Sequence, residues 1–131
     1  MVKQIESVLL SSQSAKKLAA FYKDKVGLKV TFEGVMGENG EEYYEFAVGK
    51  KSGFGIMDHS GVKGRAKEPE RVILNFEVDD IKKEVARLKR AKVKVQQDIY
   101  HVEGYGYIAT FVDVDGNFFQ IVQVKATPKK K

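Results

Sequence analysis

Apolar positions along this chain follow two rhythms, and the order in which those rhythms succeed one another occurs twice. Residues 5–10 are a short apolar run that predicts a strand. Ser14 then stands where a helix cap belongs, and Ala15, Leu18, Ala19, Tyr22 and Val26 follow at helical spacing until Gly27 closes the helix. Residues 28–35 alternate apolar and polar, and residues 36–40 (Met-Gly-Glu-Asn-Gly) carry turn chemistry. Residues 41–48 and 54–59 read as two further strands joined through 49–53. The first half is therefore β-α-β-β-β. Residues 60–70, with Gly, Pro and mixed charge, read as a linker. The order then restarts with a strand over 72–78, a cap at Asp79-Asp80, and a helix lined by Ile81, Val85, Leu88 and Ala91. Strands over 93–97 and 105–112, a turn at 113–117 and a strand over 118–124 complete the second half.

Laid over each other at an offset of 66, the helices coincide at Lys16/Lys82, Lys17/Lys83, Ala20/Ala86 and Lys23/Lys89. Two strand-rich halves with one helix each predict an α+β fold, two βαβββ modules (about 4–60 and 71–124) with pseudo-twofold symmetry. Curved mixed sheets would then surround a cavity, with the helices outside. The expected organisation is a single domain over 1–124 followed by a basic C-terminal tail, 125–131.

Charge refines this picture only slightly. The 131 residues carry 23 Lys+Arg against 18 Asp+Glu, a formal net charge of +5. Four lysines lie in 125–131, which leaves +1 for the rest of the chain. A nucleic-acid partner is not expected, because the body lacks the Lys/Arg excess that would neutralise phosphates. No window approaches the ~18 apolar residues of a spanning helix, so no membrane partner is expected and the chain reads as soluble and cytoplasmic. With no cysteine, disulfides, thiolate metal sites and a Cys nucleophile are excluded together.

Candidate chemistry concentrates on strands. Tyr44, Phe46 and Val48 share one face by alternation, as do Tyr105, Tyr107, Ala109 and Phe111, and as do Phe118, Gln120 and Val122. Glu45 alternates opposite to Tyr44 and Phe46. Facing a cavity, it would be a buried carboxylate with a raised pKa, suited to act as a general base. Gly104 and Gly106 flank Tyr105 as in a loop able to close over a ligand. His59 and His101 have carboxylate neighbours, Asp58 and Glu103, the composition of a displaced metal site. Asp113, Asp115 and Asn117 around Gly116 satisfy a tight turn and lack the Gly and Glu positions of a calcium loop. No Gly-rich phosphate loop or nucleophile elbow is present.

Three stretches occur in order: Phe21-Tyr22 with Gly27-Leu28, then Phe76-Glu77-Val78-Asp79-Asp80, then 113–123 (Asp-Val-Asp-Gly-Asn-Phe-Phe-Gln-Ile-Val-Gln). Together they make the chain resemble the vicinal oxygen chelate superfamily, which includes glyoxalase I, bleomycin-resistance proteins and extradiol dioxygenases. The resemblance spans residues 4–124. It implies a divalent metal held by two residues from each half, usually His, Glu or Gln. The corresponding positions here are Ser7, Ile56 or Met57, Ile73 and Gln120, and among these only Gln120 is an ordinary oxygen donor. The resemblance, with these departures, implies a protein that has lost the metal, needs no cofactor, and binds a small, partly aromatic or apolar molecule. Ser7, Tyr44, Phe46, Phe54, Met57, Tyr105, Tyr107, Phe118 and Gln120 are the expected ligand contacts, and a homodimer is implied as well. The alternative is a lyase- or dioxygenase-type enzyme, with a displaced metal or with metal-free acid–base chemistry around Glu45, Tyr107 and Gln120.

Overall fold

In a computed structural model of the chain, residues 1–50 and 52–125 are described, Ser52 by its backbone alone. Lys51 and residues 126–131, nearly all of the expected basic tail, lie outside the described residues. The chain divides into two compact units, Met1–Arg65 and Ala66–Lys131, with the boundary inside the expected linker.

The first unit comprises β1 (Ser7–Ser12), α1 (Ala15–Phe21), β2 (Lys29–Val35), β3 (Glu42–Val48) and β4 (Ser52–Asp58). Its sheet has the order β1-β4-β3-β2, with β1 and β4 parallel and the other pairs antiparallel. The second unit comprises β5 (Leu74–Glu77), α2 (Ile81–Arg90), β6 (Lys94–Val102), β7 (Gly106–Val112) and β8 (Phe118–Val124). Its sheet runs β5-β8-β7-β6, with β5 and β8 parallel. Both units are the expected βαβββ module.

Each helix starts where its cap dictates. Ser14 Oγ accepts from the Lys17 N–H (3.4 Å) and Asp80 Oδ1 from the Lys83 N–H (3.2 Å), so each satisfies one of the orphan donors of the first turn. A side chain from the end of the last strand supplies the next partner. Asp58 Oδ1 accepts from the Ala15 N–H (2.8 Å), and Gln123 Oε1 from the Ile81 N–H (2.9 Å). The endings differ. The expected continuous helix over 15–26 is α-helical only to Phe21 and then widens into a π-helical turn, Tyr22–Val26. There the Tyr22 carbonyl accepts from both Gly27 (3.0 Å) and Leu28 (2.9 Å). Gly27 leaves in the left-handed region (φ 91°), which costs a glycine little; α2 has no glycine at its end, and Lys92 takes the left-handed position (φ 66°).

Strand edges depart from the alternation pattern for local reasons. β1 begins two residues later than expected and runs on through Ser12, whose carbonyl accepts from the His59 N–H. β5 excludes Val72, which is 65% exposed. β6 extends to Val102 because two register irregularities, between Val95 and Gln97 and between Gln97 and Tyr100, break the alternation without ending the pairing. Tyr105 lies outside β7 in a tight turn, tied by Tyr105 N–H to the Val102 carbonyl and by Lys125 N–H to the Tyr105 carbonyl. The loop expected to lead into this strand is this hydrogen-bonded turn.

One face of each sheet packs on its own helix. In the first unit Phe46 stacks on Phe54 (5.6 Å between ring centroids), and the Tyr22 ring meets Phe54 edge-on at 5.4 Å. In the second, Phe111 stacks on Phe119 (5.8 Å) and Phe76 meets Phe119 edge-on at 6.1 Å. The two stacked pairs are cross-strand neighbours, Phe46↔Phe54 and Phe111↔Phe119. They repeat at an offset of 65, one less than the helices.

Candidate functional site

Pairing register sorts the candidate residues by face. In the first unit Val8, Leu10, Tyr44, Phe46, Phe54 and Ile56 share the α1 side, where Phe46, Phe54 and Ile56 are core. Ser7, Leu9, Ser11, Phe32, Tyr43, Glu45 and Met57 share the face turned away from α1. The sequence reading grouped Phe46 and Phe54 with Ser7 and Met57 as ligand contacts; the structure separates them, because period-2 alternation sends Phe46 and Phe54 under the helix. It also leaves Glu45 half-buried rather than buried.

Tyr43, which sequence reasoning did not place among the contacts, organises this second face. Its hydroxyl donates to Glu45, and its ring lies 6.0 Å from that of Phe32. Burial first, then the charges of Glu45 and Glu6, hold its phenol above the usual tyrosine range. Gly55, on the adjacent strand, makes room for it: a Cβ at position 55 would stand 2.7 Å from the Tyr43 hydroxyl and 2.8 Å from Cε1. A glycine between the apolar Phe54 and Ile56, inside a strand, was the signal for it in the sequence.

The second unit divides in the same way. Tyr107, Ala109, Phe111, Phe119, Ile121 and Gln123 lie on the α2 side, and Ile108, Thr110, Phe118, Gln120 and Val122 on the other. Gln120 Nε2 donates to Thr110 Oγ1 at 3.0 Å. Gln120 and Tyr107, expected to act together, are therefore on opposite faces of this sheet. Tyr107 instead borders a cavity of about 340 Å³ beside the start of α2, with its ring 5.0 Å from His101. Tyr105, in the turn before β7, is 36% exposed. Asp113 is buried in the expected turn, where Oδ1 accepts from the Asp115 (2.8 Å) and Asn117 (2.9 Å) N–H groups.

The structure also resolves the register of the inferred metal positions. Ile56 is fully buried on the α1 side, whereas Met57 shares the Ser7 face. The β7–β8 pair repeats the β3–β4 pair at an offset of 65, which makes Gly55, with no side chain, the counterpart of Gln120. A hydroxyl, a thioether and a glycine are not a donor set for a hard or borderline divalent ion. Among the described residues no group of three or more His, Asp or Glu side chains is placed to hold a metal. Of the two histidines, His59 uses Nδ1 to accept from the Gly61 N–H (2.9 Å), and His101 packs against the Tyr107 ring.

Tyr44, on the α1 side, donates to Glu42. Burial, that hydrogen bond and the charges of Glu42, Glu33 and Asp58 push its phenol up to about 12. The folded chain thus holds this proton where the unfolded chain, near 10, has lost it, so stability should fall as pH rises from about 10 to about 12. Urea unfolding across that range checks the slope, and Tyr44→Phe should flatten it; an unchanged slope would remove Tyr44 as its source.

The model of the Glyoxalase/Bleomycin resistance protein/Dioxygenase superfamily matches residues 4–121. Solved structures with this fold include TnmS3, an antibiotic binding protein from Streptomyces sp. CB03234 (21% identity, TM-score 0.73, covering 95% of this chain and 98% of that one). They include the trypanothione-dependent glyoxalase I of Leishmania major (18% identity, TM-score 0.73, covering 93% and 87%). They also include FosX, the fosfomycin resistance protein of Listeria monocytogenes (15% identity, TM-score 0.71, covering 95% and 96%). A search of curated proteins found no match.

Proposed function

Because the chain belongs to the Glyoxalase/Bleomycin resistance protein/Dioxygenase superfamily, we propose that it binds a small, partly aromatic or apolar molecule on the sheet face turned away from α1, without a divalent metal. Position 55 carries this reading. Where the repeat calls for a counterpart to Gln120 there is only a hydrogen, and the Tyr43 phenol lies across the space a side chain would need. Ser7 and Met57 flank it on the same face, Leu9 (53% exposed) and Phe32 (41% exposed) offer apolar surface, and Glu45 with Tyr43 offers a polar anchor. In the second unit Phe118 and Gln120 present a ring and an amide on the face away from α2. TnmS3, described as an antibiotic binding protein, shows that this fold hosts ligand binding.

The Tyr43–Glu45 hydrogen bond favours a second reading, metal-free acid–base catalysis with Glu45 as the base. One experiment separates the readings. Full-length protein is equilibrated with Ni, Zn, Mn and Fe, dialysed and assayed for metal, then titrated with apolar aromatic ligands while tyrosine fluorescence is followed; six tyrosines without tryptophan make that signal clean. Substoichiometric metal is expected, with saturable binding that Glu45→Gln weakens. A tightly held equivalent of metal would overturn the proposal. Turnover lost in Glu45→Gln with binding retained would establish the enzyme instead.

A further inference from the structure

A second cavity lies in the first unit, away from the face just described. It has a volume of about 460 Å³, and its walls include Gln13, Asn39, Glu41, Asp58, His59 and Lys63. These residues come from the β1–α1 loop, the β2–β3 loop and the segment that leaves β4, all at the end of the sheet where parallel β1 and β4 finish.

Four of these side chains are held by backbone N–H groups. Asp58 accepts from Ala15 through Oδ1 (2.8 Å) and from Glu42 through Oδ2 (3.0 Å). Glu41 Oε1 accepts from Asn39 (3.0 Å), and His59 Nδ1 accepts from Gly61 (2.9 Å). Gln13 Oε1 accepts from Gly64 (2.6 Å), which ties the β1–α1 loop to the segment after β4. The consequences follow from donor chemistry. An N–H can face only the oxygen of an amide, so the Gln13 amide keeps two unspent donors on Nε2. A neutral imidazole that accepts at Nδ1 carries its proton on Nε2. Lys63 adds an exposed ammonium.

The walls are therefore bipolar. Lys63, His59 Nε2–H and Gln13 Nε2 contribute donors to the lining, and the Glu41 carboxylate of the β2–β3 loop and Asp58 at the strand end contribute acceptors. A lone anion would meet two carboxylates, and a lone cation would meet the ammonium. We infer that this cavity binds a small zwitterion of amino-acid size, its oxyanion taken by Lys63, His59 and Gln13 and its ammonium by Glu41. The backbone bonds hold His59, Gln13 and Glu41 in place before the ligand arrives, which lowers the ordering cost of binding, and Lys63 alone must be ordered.

The test is amide chemical-shift mapping of the full-length chain with L-serine, and with acetate, inorganic phosphate and methylammonium as single-charge probes. L-serine is expected to shift the Gly61, Gly64 and Asn39 amides saturably while leaving Gly55 and Glu45 unmoved, which separates this site from the proposed ligand face. Lys63→Met and Glu41→Gln should each weaken it at least tenfold; the glutamine keeps the acceptor for the Asn39 N–H, so the loop stays folded. The single-charge probes should bind at least tenfold more weakly than serine. No serine-dependent shift at tens of millimolar, a single-charge probe as tight as serine, or indifference to both substitutions would each overturn the inference.

Discussion

Gly106→Ala is expected to destabilise the chain by about 3 kcal/mol or more, in contrast to about 1 kcal/mol for Gly64→Ala. Gly106 sits at φ 138°, where side chains are rarely found, and a Cβ there would fall well inside contact with the Gln123 carbonyl oxygen. It would also lie 3.0 Å from Lys125 N and from Val124 Cα. All three obstacles are backbone of β8 and the residue after it, so no rotamer change relieves the clash. The chain must open the Gly106↔Val124 end of the β7–β8 ladder and release the Lys125 N–H to Tyr105 carbonyl bond. Gly64 has a positive φ as well (72°), but nothing within 4 Å of its would-be Cβ, so its substitution carries only the conformational cost. Urea unfolding of the two variants side by side measures the difference, since both remove one glycine's freedom from the unfolded chain. Equal midpoints would mean that the turn does not bring the two strands together as closely as described.

Gly106 also marks what the sequence could and could not show. Two glycines around Tyr105 suggested a loop free to close, because composition reports permitted backbone angles and not which partners fix them. The helix starts were legible, the first to the residue at Ser14 and the second to the pair Asp79-Asp80, since a cap is a local device: Ser14 and Asp80 each reach an N–H three residues on. The π-helical turn at Tyr22–Val26 was hidden, because the buried positions Tyr22 and Val26 fit 3.6 and wider spacings alike. β6 was expected to end at Gln97, where its second irregularity begins and alternation fails although pairing continues. Face assignment was half legible. Alternation correctly set Glu45 opposite Tyr44 and Phe46, but choosing which face meets the helix needs the partner, and aromatic rings suit a core as well as a pocket. The repeat offset of 66 describes the helices, whereas the stacked phenylalanines and the strand-end caps Asp58 and Gln123 repeat at 65. That single residue moves the counterpart of Gln120 from Phe54, under α1, to Gly55, on the opposite face, and the reading of the metal positions depends on it.

The separation of faces has its largest consequence at Phe54. Phe54→Ala is expected to cost about 3–5 kcal/mol, a large part of the ~5–15 kcal/mol that holds a typical domain together. The ring is 4% exposed, stacked on Phe46 and met edge-on by Tyr22, and Leu18 of α1 and Ile56 of the same strand face are fully buried as well. A cavity there cannot collapse without moving α1 against the sheet. Its repeat counterpart Phe119, fully buried between Phe111 and Phe76, should cost as much. Met57→Ala, three residues along the same strand and on the other face, should cost about 1 kcal/mol or less, because that side chain is only half-buried, yet it should weaken ligand binding. Chemical unfolding and the fluorescence titration together read both quantities. The faces are correctly assigned if Phe54→Ala loses stability and Met57→Ala loses affinity. If Phe54→Ala proved as stable as the parent and lost only ligand, the ligand would lie under α1, and the surface built around Tyr43 and Gly55 would have to be abandoned.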